Sequence, residues 1–126
     1  MFLPGTHGST YGGNPLGAAV AVAAMDALVD EGMVANSASL GSYALAELQK
    51  VEAPVVKEIR GKGLWIGIEL HESAGGARRF CEALRDKGVL CKEPHDHVIR
   101  LAPPLVITRP ELDLAIEAIR EVLLAG

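Results

Sequence analysis

The chain has 126 residues and a mass of 13.2 kDa, the size of one ordinary domain and too small for a multidomain enzyme. Twelve Lys and Arg against sixteen Asp and Glu leave a net charge of −4, without the basic footprint of a nucleic-acid binder. A globular composition, apolar runs well short of the ~20 residues that span a bilayer, no leader-like opening and only two cysteines, Cys81 and Cys91, predict a cytoplasmic protein without a disulfide framework.

Residues 1–13 are rich in Gly, Pro, Ser and Thr and read as a loop. Asn14 then offers an N-cap and Pro15 a first helical position, so a helix is predicted from Pro15 to about Glu31, stopped by Gly32. Between Leu16 and Val29 the only charge is Asp26. A helix that is apolar nearly all round needs cover on every side. So short a chain has little surface to supply it, and part of the folding partner is expected to lie outside this chain. A second helix is predicted over 33–50, with Val34, Leu40, Ala44, Leu45 and Leu48 inward.

The stretch 57–71 reads as extended: Leu64, Ile66, Ile68 and Leu70 alternate with Trp65, Gly67, Glu69 and His71. Gly61 and Gly63 interrupt it as a turn or bulge. A third helix is predicted over 77–87, with Phe80, Cys81 and Leu84 inward and Gly88 as its stop. Strands at 89–92 and 98–101 follow, joined by the turn-rich 93–97. Thr108 and Glu111 make a capping box for a last helix striped by Leu112, Ala115, Ile116, Ile119 and Leu123. The expected fold is α+β, with a small, mostly antiparallel sheet packed with helices and preceded by the long apolar helix.

The glycine-rich segments fit neither a Walker loop nor a dinucleotide fingerprint, since 61–67 has the wrong spacing and leads into a strand. Cys91, His95 and His97 are borderline metal ligands close in sequence, but Pro94 and Asp96 make the stretch a plain turn and no fourth ligand has suitable spacing. No metal is expected. Two features carry more. The opening loop places the hydroxyls of Ser9 and Thr10 among flexible amides just before a helix N-terminus. Such a site suits a phosphate, through donors and helix dipole together; ordinary turn or cap bonding by Ser9 and Thr10 is the competing reading. Arg100 interrupts the apolar run Val98-Ile99-Arg100-Leu101 ahead of Pro103-Pro104. Its guanidinium either forks onto a carboxylate in two parallel bonds or points to solvent or a structural ion pair. Arg60 reads as structural, paired with Glu58 or Glu69.

These same residues carry a family resemblance. His7-Gly8-Ser9-Thr10-Tyr11-Gly12-Gly13-Asn14-Pro15-Leu16 resembles the HGST[FY]GGNPL segment of class III aminotransferases, pyridoxal-phosphate enzymes of fold type I. Arg60-Gly61-Lys62-Gly63-Leu64 resembles a second family block. The stretch from Leu90 through Arg100 to Leu105 resembles the ornithine aminotransferases in particular. The resemblance covers the whole chain but only about the last third of a family member.

It implies three segments: 1–14 as the cofactor-phosphate loop at the large-domain end, 15–32 as a connecting helix, and 33–126 as the C-terminal small domain. It also implies that Ser9 and Thr10 hold the pyridoxal phosphate, reaching across a homodimer interface, and that Arg100 holds a substrate α-carboxylate. The implied reaction moves the δ-amino group of ornithine to 2-oxoglutarate, giving glutamate semialdehyde and glutamate. The family's Schiff-base lysine lies upstream of the HGST block. None of Lys50, Lys57, Lys62, Lys87 and Lys92 matches it, so this chain contributes no catalytic residue and needs a lysine-bearing large domain. The alternatives are an acetylornithine or other ω-amino acid aminotransferase fragment, and a non-catalytic remnant that binds a partner.

Overall fold

The computed structural model describes residues 3–126; Met1 and Phe2 of the predicted loop lie outside the described residues. The chain divides into two compact units, Met1–Met33 and Val34–Gly126.

The first unit is a loop followed by helix α1, Pro15–Asp30. Its start follows the predicted chemistry. Asn14 is extended at the N-cap, and its Oδ1 accepts from the amides of Leu16 and Gly17 at 3.0 and 3.2 Å. Gly32, with φ +63°, ends it in the left-handed region. No residue of α1 is buried, and Leu16, Val20, Val22, Met25 and Val29 are all exposed.

The second unit carries, after α2 (Met33–Leu48), strands β1 (Val56–Lys62) and β2 (Trp65–Leu70) and a short 3-10 turn at Glu72–Ala74. Helix α3 (Arg78–Asp86), strands β3 (Lys92–His95) and β4 (Val98–Leu101), and helix α4 (Arg109–Leu124) complete it. The strands form one antiparallel sheet in the order β1-β2-β4-β3. The α+β expectation is met, and the sheet is antiparallel throughout.

Period-two patterning decides the two faces. Ile66, Ile68 and Leu70 of β2 and Ile99 and Leu101 of β4 point into the core, where Ile68 and Ile99 have no exposed surface at all. Ala44 and Leu48 of α2, Phe80, Cys81 and Leu84 of α3, and Leu112, Ile116, Ile119, Val122 and Leu123 of α4 join them in a single cluster. Each fully buried Ile or Leu there is worth roughly 1.5–3 kcal/mol. The opposite sheet face has no helix of this unit on it. Polar ties fasten α2 to α4: Tyr43 Oη donates to Asp113 Oδ1 at 2.7 Å, and the Arg109 guanidinium lies 3.3 Å from the Tyr43 ring centroid. At the start of α4, Glu111 Oε2 accepts from both the amide and the hydroxyl of Thr108.

Three sequence expectations are corrected. Val34, expected inward, is 69% exposed, because it lies at the first turn of α2, ahead of the buried Gly41, Ala44 and Leu48. The third strand runs over Lys92–His95 instead of 89–92. Gly88 and Val89 are used to end α3: their amides donate to the carbonyls of Arg85 and Leu84, each at 2.9 Å, and Gly88 has φ +84°. Pro94 is accommodated because β3 is an edge strand with an irregularity between Lys92 and His95. Thirdly, the pair Gly61 and Gly63 divides its roles. Gly61 is an ordinary member of β1 opposite Ile66, while Gly63, at φ +57°, makes the hairpin turn.

Candidate functional site

Arg100 sits in the middle of β4, half-buried, between the core residues Ile99 and Leu101. Alternation therefore sends its side chain to the open face of the sheet. Cross-strand register aligns a row on that face: Arg60 of β1 opposite Gly67 of β2, Gly67 opposite Arg100, and Arg100 opposite Lys92 of β3. The row crosses a shallow basin lined by Arg60, Lys62, Trp65, Gly67, Pro94, His95, Val98 and Arg100. Gly67 leaves it open between the two arginines; a Cβ there would come no nearer than 3.8 Å to Val98 and 3.9 Å to Arg60.

The cations of this face differ in what they hold. Arg60 Nη1 donates to Glu58 Oε2 at 2.7 Å and Glu69 Oε2 at 2.6 Å, and Lys57 Nζ donates to Glu69 Oε1 at 2.7 Å. The Arg60 pairing predicted from sequence is met by both of its candidate acids. The Arg100 side chain makes no hydrogen bond or ion pair among the described residues, while the side chains of the other arginines are all engaged. Of the readings open for Arg100, the structural ion pair is removed. A guanidinium with all five donors uncommitted is suited to the two parallel bonds that a carboxylate accepts. Just beyond it, Asn36 Nδ2 donates to the carbonyls of Leu105 and Ile107 at 2.7 and 3.1 Å, pinning the proline-rich loop after β4 to α2. Asn36→Ala is expected to cost about 1–2 kcal/mol in urea denaturation, since both carbonyls lose their donor.

Glu69 is the electrostatic centre of the row's outer end. Its bonds to Lys57 and then Arg60 hold its carboxyl below the ordinary glutamate value, and raise those two bases in turn. A carboxyl lowered by folding stabilises the protein above its unfolded pKa and loses that contribution as pH falls through the folded value. The stability difference between wild type and Glu69→Gln is therefore expected to be present at neutral pH and to vanish under acid, read from denaturation midpoints across the acid limb.

In the other unit, Ser9 and Thr10 are exposed in the loop before α1. Ser9 Oγ accepts from the Gly12 amide at 2.9 Å, which is the turn bond of the competing reading. That bond leaves the hydroxyl proton available to a ligand oxygen. The helix contribution expected for a phosphate is altered: Asn14 already takes the Leu16 and Gly17 amides. The loop donors, and not those two helix amides, are left to serve an anion. The loop remains compatible with a phosphate, and Gly5, Gly8 and Gly13 leave open space around the backbone.

Among the described residues no group of three or more His, Cys, Asp and Glu is placed to hold a metal ion. Among the same described residues no helix is long and apolar enough to cross a membrane. Sequence reasoning named Arg100 but missed its companions Trp65, Lys62, Gly67 and His95. The alternation in β2 did place Trp65 and Gly67 away from the core; the register that sets them beside Arg100 is not a local signal.

A family model for class-III aminotransferases matches residues 1–123. The chain belongs to the class-III aminotransferases. Within the family it is 59% identical to the ornithine aminotransferase of Staphylococcus epidermidis over 122 residues, covering 97% of this chain and 30% of that protein. Among solved structures it is similar to an ornithine aminotransferase from Toxoplasma gondii with partial occupancy of PLP at its active site. There the TM-score is 0.85, with 40% identity, 98% of this chain and 30% of the other. The acetylornithine aminotransferase of Elizabethkingia anophelis gives a TM-score of 0.84 at 38% identity, over 99% of this chain and 34% of the other. This class-III chain thus spans about 30% of the length of the curated relatives it matches.

Proposed function

We propose that this chain is the C-terminal part of an ornithine aminotransferase, working with a lysine-bearing large domain to move the δ-amino group of ornithine to 2-oxoglutarate. The products are glutamate semialdehyde and glutamate. The observation that carries the reading is Arg100: an unpaired guanidinium on an open basin, in a chain 59% identical to a relative of that name. In this proposal 1–14 is the cofactor-phosphate loop, 15–32 the connecting helix and 33–126 the small domain. The setting is a cytoplasmic homodimer.

Pyridoxal phosphate, when bound, supplies the electron sink for the amino transfer. Ser9 and Thr10 would hold its phosphate through their hydroxyl protons, and Arg100 would fork onto the substrate α-carboxylate. A fixed carboxylate orients the rest of the amino acid and converts binding energy into alignment. Arg60, neutralised by Glu58 and Glu69, adds no competing anchor. The chain alone is expected to be inactive, since the Schiff-base lysine lies in the other part.

Complementation tests this reading. The chain is mixed with a separately produced lysine-bearing N-terminal part, pyridoxal phosphate, ornithine and 2-oxoglutarate, and semialdehyde formation is followed. Activity in the mixture only is expected. Turnover of N-acetylornithine in preference to ornithine would move the reading to the acetylornithine enzymes, which the 38% identity to the Elizabethkingia structure keeps in view. Co-purification of two folded parts without activity on either substrate would overturn it in favour of a non-catalytic remnant.

A further inference from the structure

Tyr11 follows Ser9 and Thr10 directly in the chain, and the proposed function gives it no role. Its surroundings fold it back onto α1. The Asn14 amide donates to the Tyr11 carbonyl at 3.3 Å, closing a turn whose third residue, Gly13, sits at φ +78° in the left-handed region. Asn14 then caps the Leu16 and Gly17 amides, so the turn and the helix share one residue. The Tyr11 ring comes to rest on the first turn of α1. A Cβ at Gly17 would stand 2.9 Å from its Cδ1, 3.4 Å from its Cε1 and 3.6 Å from its Cγ, so a glycine there is what lets the ring lie so close. Tyr11 is still 63% exposed, too much for burial to account for its placement. Ser9 is tied into the same segment, since its Oγ accepts from the Gly12 amide at 2.9 Å.

We propose that Tyr11 is a positioning residue whose ring, seated on Gly17, braces the 9–12 loop against α1 and so presents the Ser9 and Thr10 hydroxyls to a phosphate monoester. The inference rests on the phosphate role proposed for those two residues. An exposed loop with Gly8, Gly12 and Gly13 in it has many conformations open to it, and a ligand that needs one of them must offset the cost of ordering the rest. A loop already held in the binding form takes the same ligand more tightly without any new contact. The atoms that meet Gly17 belong to the body of the ring and not to its hydroxyl, so phenylalanine at 11 serves equally well. Alanine there leaves the Gly13 turn and the Asn14 cap in place and removes only the brace.

Two measurements test it. In the chain itself, nuclear Overhauser contacts are expected between the Tyr11 ring protons and the Gly17 Hα protons; their absence would overturn the brace whatever the loop binds. In the complemented enzyme, equilibrium dialysis compares pyridoxal phosphate with pyridoxal, which lacks the phosphate. Tyr11→Ala is expected to raise Kd for pyridoxal phosphate roughly 5- to 10-fold and to leave Kd for pyridoxal unchanged, while Tyr11→Phe binds both as wild type does. Ser9→Ala with Thr10→Ala is expected to lose more, and adding Tyr11→Ala to that pair is expected to lose nothing further, because the ring acts only through those hydroxyls. Wild-type affinity in Tyr11→Ala, an equal loss toward pyridoxal, or a loss that adds in full to that of the Ser9 and Thr10 pair would each overturn the positioning role. A Ser9 and Thr10 pair that keeps wild-type affinity would instead remove the phosphate role itself, and the role of Tyr11 with it.

Discussion

Gly41→Ala is expected to abolish cooperative folding of the 34–126 unit, although helix propensity alone would make the substitution favourable by about 1 kcal/mol. Gly41 lies buried in α2 against the β1–β2 turn. A Cβ there would stand 2.0 Å from the carbonyl carbon of Gly63, 2.2 Å from its oxygen and 2.5 Å from its Cα. All three are backbone atoms, so no side chain can swing aside. The turn cannot easily retreat either: Gly63 holds φ +57°, and the neighbouring Leu64 amide donates to Ser37 Oγ at 3.1 Å. Separating α2 from the hairpin would also open the core around Ala44, Leu48, Leu64 and Ile66, all of them buried. The cost is expected to exceed about 3 kcal/mol, beyond ordinary overpacking and a large part of the whole stability of a small domain. Urea denaturation followed by circular dichroism measures it. A variant with a wild-type midpoint would show that α2 does not press on this turn.

Arg100→Ala carries the largest expected effect on activity. In the complemented enzyme it is expected to lower kcat/KM for the amino acid by roughly 100- to 1,000-fold, the equivalent of about 3–4 kcal/mol for a charge-assisted fork. The same change is expected to leave the urea midpoint within about 0.5 kcal/mol of wild type, since the Arg100 side chain makes no hydrogen bond or ion pair among the described residues and the buried Ile99 and Leu101 beside it supply the packing of β4. Arg100→Lys is expected to recover only part of the loss, because an ammonium cannot make two parallel bonds to one carboxylate. An equal loss of stability and activity would instead make Arg100 a structural residue. Wild-type kcat/KM in Arg100→Ala would remove it from the substrate site.

The same contrast between local and long-range causes separates what was legible in the residues from what was not. Asn14-Pro15 announced the start of α1, and Thr108 with Glu111 announced α4, because capping bonds reach only two or three residues along the chain. The alternation in 64–71 named the buried face of β2 for a similarly local reason: side chains take opposite sides of a strand whatever lies beyond it. The motif around Ser9 and Thr10, and the stretch around Arg100, were enough to point to the family. Strand β3 was misplaced by about three residues because the termination of α3 claims Val89, and that competition is settled by packing.

The sequence by itself thus determined the helix starts, the inward stripes of α3 and α4, and a family whose motifs lie in short contiguous runs. Only the tertiary structure decided the strand order β1-β2-β4-β3, which sets Gly67 between Arg60 and Arg100, gives Arg60 two acids and leaves Arg100 none. It alone decided that Gly41 must be glycine, because the atom that forbids a side chain there belongs to Gly63. Helix and strand periods arise from bonds between near neighbours and leave their mark along the chain. Pair register and close backbone approach arise between segments that meet only once the core has formed.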